Sequence, residues 1–145
     1  MSQNDFVIKD GVLEGYNGTD EEITIPSEVK EIASFACCKN DKLKSVIIPN
    51  SVVTIGDSAF KDCFYLEKVV IGNGINIIKP NAFENCSKLT EVIMPTNLEY
   101  ISSKAFANTG IRYIWQNNNR CATCGGKFKG LIKPKCSNCL RYKDY

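Results

Sequence analysis

The chain has 145 residues, of which 43% are hydrophobic and 23% charged, so it has room for one core and a small appendage. Its formal net charge of +2 argues against a polyelectrolyte, and the absence of histidine removes Ser-His and Cys-His nucleophiles and the commonest general base. No stretch approaches the roughly 20 apolar residues of a membrane helix, and the start, MSQNDFVIKD, lacks a signal-peptide pattern. We therefore expect a non-enzymatic, cytoplasmic protein; a surface location would require that a leader has been removed.

Residues 1–22 are predicted to form an N-terminal β-hairpin cap. Two short alternating runs flank Gly11, and a turn rich in Gly, Asn and Asp follows them. Such a hairpin would cover the open edge of the next structural unit, because an uncovered strand edge invites pairing with other chains.

Residues 23–115 contain a repeat with a period of 23 residues, marked by Pro26, Pro49, Gly72 and Pro95. The columns that keep this period are Val29, Val52, Ile75 and Leu98; Ile32, Ile55, Ile78 and Ile101; Ala36, Ala59, Ala82 and Ala105; Phe60, Phe83 and Phe106; Leu43, Leu66 and Leu89; and Val46, Val69 and Val92. So many columns at a spacing between 20 and 29 residues are typical of leucine-rich repeats.

One coil of the repeat reads L-x-x-V-x-I-P-x-x-V-x-x-I-x-x-x-A-F-x-x-C. The V-x-I triplet has period two and predicts a short strand, which proline ends because it cannot donate a ladder hydrogen bond. The V-x-x-I segment returns across the coil, and A-F-x-x-C predicts a single turn of α- or 3₁₀-helix. No coil buries its own apolar edge, so about four coils are expected to stack into an α/β solenoid with parallel strands.

The repeat resembles the leucine-rich repeats of the BspA type, also called the Treponema pallidum type. The resemblance rests on "IIPNSVVTIGDSAFKDCFYLEKVVI" at 47–71 and "AFENCSKLTEVIMP" at 82–95, and it covers about residues 5–115. It implies a right-handed superhelix with an N-terminal hairpin cap. It also implies an alternative function, adhesin-like binding of host proteins at a cell surface. The end coils depart from the pattern: Cys37 occupies the Phe column, and the last coil is one residue short.

The outward positions of the strands predict a partner-binding face. Its residues are Thr24, Ile47, Val70 and Ile93 at the centre of each triplet, with Lys68 and Glu91 in the preceding column. Contiguous exposed apolar residues mark contact sites more often than isolated ones do, so we expect a protein partner or self-association here. Alternatively, these β-branched residues only favour the strand conformation.

Four cysteines fall within the repeat. Cys63 and Cys86 share a column and are expected to be buried free thiols, although a disulfide between adjacent coils is the alternative. The adjacent Cys37 and Cys38 are predicted to be structural, because neighbouring cysteines are poorly placed to bridge and one of them fills a core column.

The C-terminal region is predicted to be a polar linker at 116–120 followed by a zinc ribbon at 121–145. Two C-x-x-C pairs supply the expected ligands of a tetrahedral site, Cys121, Cys124, Cys136 and Cys139. Four thiolates leave no open position for water, so Zn²⁺ would be structural and would supply the folding energy of a segment without a core. The segment resembles two zinc knuckles joined by a hairpin around "KFKGLIKPK". Two disulfides are the alternative in an oxidising compartment.

The same tail is basic: residues 120–145 carry seven Lys+Arg against one acidic residue, a net of +6, whereas residues 1–119 carry 11 against 15, a net of −4. The basic residues are Arg120, Lys127, Lys129, Lys133, Lys135, Arg141 and Lys143. They favour nucleic-acid binding as a further alternative function, or they offset the negative charge of a thiolate-bound zinc. Our main prediction is a non-enzymatic protein–protein interaction module that uses the strand face, with no membrane insertion.

Overall fold

The computed structural model of the protein describes residues 3–96 and 98–117. A 3₁₀-helix at Gln3–Asp5 is followed by ten strands and one α-helix. The strands are β1 (Phe6–Lys9), β2 (Val12–Tyr16), β3 (Glu22–Thr24), β4 (Glu31–Ile32), β5 (Ser45–Ile48), β6 (Thr54–Ile55), β7 (Lys68–Ile71), β8 (Ile77–Ile78), β9 (Glu91–Ile93) and β10 (Tyr100–Ile101), and α1 spans Gly110–Asn117. Because α1 runs to Asn117, the first two residues of the predicted linker are helical, and the predicted zinc ribbon lies outside the described residues.

The predicted solenoid is confirmed: about four coils carry parallel strands 23 residues apart. The front sheet has the order β3-β5-β7-β9 and consists of the predicted V-x-I strands. The V-x-x-I segments form a second parallel ladder, which sequence reasoning had described only as a return segment. With the N-terminal hairpin this ladder makes the back sheet, in the order β1-β2-β4-β6-β8-β10.

The far side of the described coils contains turns in place of the predicted helical turn. In the second coil, Lys61 N–H donates to the Ser58 carbonyl at 3.1 Å, whereas Phe60 N–H donates to the Ala82 carbonyl of the next coil at 2.7 Å. Successive N–H groups therefore alternate between their own turn and the neighbouring coil. A helix would keep all these bonds within one coil, so the stacking of coils displaces it.

This alternation is accompanied by left-handed backbone at two columns in each of the first three turns and at one column in the last turn. One column comprises Lys39, Asp62, Asn85 and Asn108, and the other comprises Phe35, Ser58 and Asn81; all have φ between 55° and 61°. Asn and Asp tolerate this conformation, and here they also bond to one another across coils. Asn85 Nδ2 donates to Asp62 Oδ1 at 2.8 Å, and Asn108 Nδ2 donates to Asn85 Oδ1 at 3.0 Å.

The core lies between the two sheets and the turns, and it is built from the apolar columns of the repeat. Phe60, Phe83 and Phe106 stack with their rings nearly parallel and their centroids 5.3 and 5.1 Å apart. Trp115 of α1 meets the last ring edge-on at 5.4 Å and ends the stack. Buried side chains of this kind supply most of the stabilisation, because each coil removes the apolar surface of its neighbour from water.

The hairpin covers the first coil. Strands β1 and β2 pair antiparallel through a tight turn in which Asp10 and Gly11 both have positive φ, the arrangement that matches the natural twist of a hairpin. Strand β2 then pairs parallel with β4, so that Leu13 lies beside Ile32 and is fully buried. No helix in the described part of the chain is both long and apolar enough to span a bilayer.

Candidate partner-binding face

The predicted partner-binding residues form one column on the front sheet. Thr24 is paired with Ile47, Ile47 with Val70, and Val70 with Ile93. Ile47 is 44% exposed and Ile93 is 52% exposed, whereas Val70 is partly buried between them. Because side chains alternate across a strand, the inward neighbours Val46 and Val69 are fully buried while this column faces solvent.

Charged residues border the apolar column on the side where the strands begin. Glu22, Ser45, Lys68 and Glu91 occupy one row in register. Lys68 Nζ lies 3.2 Å from Glu91 Oε1, so the two charges that sequence reasoning treated as separate contacts are paired with each other. One row further out, Lys44 Nζ lies 2.9 Å from Glu21 Oε1, and the hydrogen bond to this carboxylate raises the pKa of Lys44. These solvated pairs orient charge beside the apolar column and contribute little to stability.

The described cysteines are all free thiols. Cys63 Sγ donates to the Cys37 carbonyl and Cys86 Sγ to the Phe60 carbonyl, each at 3.1 Å. Burial raises the pKa of Cys37, and the hydrogen bond with Cys63, together with burial, raises the pKa of Cys86. Thiols held protonated in this way are weak nucleophiles, which agrees with a structural role.

The predicted metal ligands Cys121, Cys124, Cys136 and Cys139 lie outside the described residues, as do the seven basic residues of the tail. Across residues 3–96 and 98–117, no three residues of the types His, Cys, Asp or Glu come close enough together to hold a metal ion. The metal prediction therefore concerns the C-terminal segment alone and stays a prediction.

Exposed aromatic residues beside the face were missed by the sequence reasoning. Phe64 and Tyr65 are 49% and 46% exposed in the loop before β7, and Lys88 Nζ lies 4.6 Å above the Tyr65 ring. The repeat register could have identified them, because the corresponding residues of the next coil are Ser87 and Lys88. Two aromatic residues therefore stand at positions that are polar in the next coil. Because both are about half exposed, packing within the coil does not require them.

Comparison with solved structures shows the same solenoid in bacterial proteins. The Treponema pallidum leucine-rich-repeat protein TpLRR has a TM-score of 0.70 and 27% identity over 73% of this chain and 55% of that one. A leucine-rich-repeat protein from Bacteroides capillosus has a TM-score of 0.63 and 24% identity over 69% and 80% of the two chains. The pneumococcal vaccine antigen PcpA has a TM-score of 0.59 and 34% identity over 62% and 23%. The chain thus spans about half of TpLRR and a quarter of PcpA.

Sequence comparison agrees with the structural one. No curated protein matches the chain significantly. A family model described as BspA type leucine rich repeat region (6 copies) matches residues 11–123, which is most of the chain. The protein belongs to the BspA-type leucine-rich-repeat family.

Proposed function

We propose that the protein is a non-enzymatic protein–protein interaction module that binds its partner through the column Thr24, Ile47, Val70 and Ile93. The observation that carries the proposal is the continuous apolar column of Ile47, Val70 and Ile93, in which Ile47 and Ile93 are about half exposed among the described residues of the front sheet. Leucine-rich-repeat proteins mediate protein–protein interaction, and they are generally binding modules without enzymatic activity. The flanking ion pairs would then set the orientation of the partner.

The test is the triple substitution I47T/V70T/I93T. Threonine keeps the β-branched shape that a strand favours while it removes apolar contact area, so the fold should persist and binding should weaken. The matched control is V7T/V53T, which changes two valines that are 42% and 41% exposed away from the column. Binding would be measured by affinity capture from extract of the producing cells and by sedimentation for self-association. Equal binding by the triple variant, the control and the parent protein would refute the proposal.

A cell-surface, adhesin-like role is the second candidate. It is supported by the 34% identity to PcpA, a vaccine antigen, whereas the sequence reasoning favoured a cytoplasmic location. Brief protease treatment of intact producing cells distinguishes the two: a surface protein is cleaved, and a cytoplasmic one survives until the cells are lysed.

A structural zinc ion bound by Cys121, Cys124, Cys136 and Cys139 is part of the proposal. Its support is the spacing of the two C-x-x-C pairs, which suits tetrahedral thiolate coordination. Protein purified under reducing conditions should contain one zinc per chain, and Cys121→Ser with Cys124→Ser should lose it. Elemental analysis that finds no stoichiometric metal in the parent protein would contradict this part.

Electrophoretic mobility shift with mixed DNA and RNA at low and high salt tests the nucleic-acid alternative.

A further inference from the structure

The turns of the solenoid are joined by rows of backbone hydrogen bonds that run from coil to coil. Phe60 N–H donates to the Ala82 carbonyl at 2.7 Å, and the other half of that peptide group, the Phe83 N–H, donates to the Ala105 carbonyl at 2.8 Å. A second row has the same direction and runs through Lys39, Lys61, Asp62, Glu84, Asn85 and Ala107. Peptide dipoles aligned in this way leave a positive partial charge at the end where the N–H groups emerge, which is the C-terminal end of the solenoid.

The two ends of these rows are closed to different extents. At the N-terminal end, Tyr16 N–H of the hairpin donates to the Ala36 carbonyl at 3.2 Å, so the first acceptor of one row has a partner. At the C-terminal end the rows reach Phe106 and Asn108, and neither N–H has an acceptor within residues 3–96 and 98–117. Backbone N–H groups are almost always paired in folded proteins, with protein, water or ligand. The last turn therefore presents backbone donors, together with the positive end of the aligned dipoles, to an acceptor from outside these coils.

A cleft of about 430 Å³ lies at this end of the solenoid. It is lined by Ala107, Asn108, Thr109, Arg112 and Tyr113. Arg112 Nη1 donates to the Ser103 carbonyl at 3.1 Å, which holds the guanidinium in place. A guanidinium has five N–H donors, and no carboxylate of the described residues forms an ion pair with this one. A full positive charge and the donor end of a hydrogen-bond row thus meet at one cleft.

We infer that this cleft binds a small oxyanion, a carboxylate or a phosphate, between the Asn108 N–H and the Arg112 guanidinium. One anion oxygen would accept from Asn108 N–H, as the Ala107 carbonyl accepts from Asn85 N–H at 3.0 Å in the preceding turn. The guanidinium would bind the other oxygens, because its parallel N–H groups match the paired oxygens of such anions. The cleft is larger than a bare anion, so the anion can be one group of a larger molecule that lies beside the Tyr113 ring.

The charges near the cleft agree with an anion supplied from outside the chain. Residues 98–117 contain Lys104 and Arg112 but a single acidic residue, Glu99, which directly precedes β10 of the back sheet. In the preceding coil, Glu84 Oε2 lies 3.0 Å from Lys61 Nζ, so this carboxylate already has a cation. Residues 120–145 carry seven Lys+Arg and one acidic residue, so the sequence that follows the solenoid is also a poor source of carboxylates.

The test titrates the isotope-labelled full-length protein with acetate and, separately, with inorganic phosphate, against chloride at matched ionic strength. The NMR signals of the Asn108 amide and the Arg112 side chain should shift saturably with at least one oxyanion, and the tighter arm identifies the preferred one. Arg112→Gln should weaken binding about tenfold, because a charge-assisted hydrogen bond is lost. Lys104→Gln is the matched control: it removes a positive charge from the same coil but outside the cleft lining, and it should weaken binding less than about twofold.

Asn108→Gly separates the backbone donor from the side chain. Glycine keeps the N–H and adopts the φ of 55° without strain, so the affinity should stay within about threefold of the parent value. Loss of binding in this variant would overturn the role of the backbone N–H. Should Arg112→Gln fail to fold, Arg112→Lys keeps the charge but not the paired N–H groups, and it should also weaken binding.

Three further results would overturn the inference. They are equal shifts with chloride and with both oxyanions, equal weakening in Arg112→Gln and Lys104→Gln, and shifts confined to residues outside 103–113. The inference does not depend on the proposed function, because the cleft shares no residue with the column of Thr24, Ile47, Val70 and Ile93.

Discussion

The two ends of the solenoid are closed to different extents. At the N-terminal end the hairpin extends the back sheet, and Ile23 of β3, the counterpart of Val92, is only 3% exposed. At the C-terminal end Trp115 covers Phe106 and the last back-sheet residue Ile101 is 1% exposed, yet Val92 of the front sheet is partly open. A repeat that cannot bury its own edge needs each of its two sheets to be covered at both ends, which makes four places. The described residues cover three of them.

The largest effect is expected from Leu13→Ala in the N-terminal hairpin. Leu13 is fully buried beside Ile32, so its truncation should lower the free energy of unfolding by about 2–5 kcal/mol. Urea unfolding monitored by circular dichroism would measure this loss. Val7→Ala, at a side chain 42% exposed on the same hairpin, is the control and should cost far less. Similar losses in both variants would mean that the hairpin does not close the core.

A smaller effect compares Val69→Ala with Val92→Ala. The first removes two fully buried methyl groups and should cost about 2 kcal/mol. The second should cost about 1 kcal/mol or less, because Val92 is partly exposed. Chemical denaturation of the full-length variants gives both values. A cost for Val92→Ala equal to or above that for Val69→Ala would contradict the partial exposure of the front sheet at its C-terminal end.

The smallest effect is expected in the first coil, where Phe35 occupies the left-handed column of Ser58 and Asn81. A bulky residue is strained in this conformation, and Phe35 is 59% exposed, so little burial offsets the strain. Phe35→Asn should therefore stabilise the protein by about 1 kcal/mol. The melting temperature should rise, whereas Phe64→Asn, at an exposed aromatic residue outside the left-handed columns, should not raise it. A fall in melting temperature for Phe35→Asn would show that its ring makes a contact that matters.

The repeat columns were sufficient to predict most of the fold. Val46, Val69 and the phenylalanines of the stack are buried as their spacing requires, and the strand column reaches from Thr24 to Ile93 in the predicted register. The outward direction of Ile47 also followed from the period of two. The pairing of Lys68 with Glu91 did not, because the rotamers of long side chains depend on neighbours in the adjacent coil.

The turns show where sequence reasoning stops. A-F-x-x-C has the composition of a short helical turn, yet Phe60 N–H bonds to Ala82 of the next coil because stacking offers it a partner there. The left-handed columns containing Asp62 and Asn85 were a usable sign, since Asn and Asp favour that conformation. Phe35 has the same left-handed backbone, but phenylalanine does not favour that conformation, so its residue type does not indicate the turn.

The sequence by itself determined the solenoid, its period and the side of each strand that faces solvent, because apolar columns at a fixed spacing can be buried together only when the coils stack in register. Tertiary structure alone decided how the backbone of each turn is satisfied, which charges pair, and how far each end of the front sheet is covered. Those features depend on contacts between coils that are distant in the sequence, and no local pattern encodes such contacts.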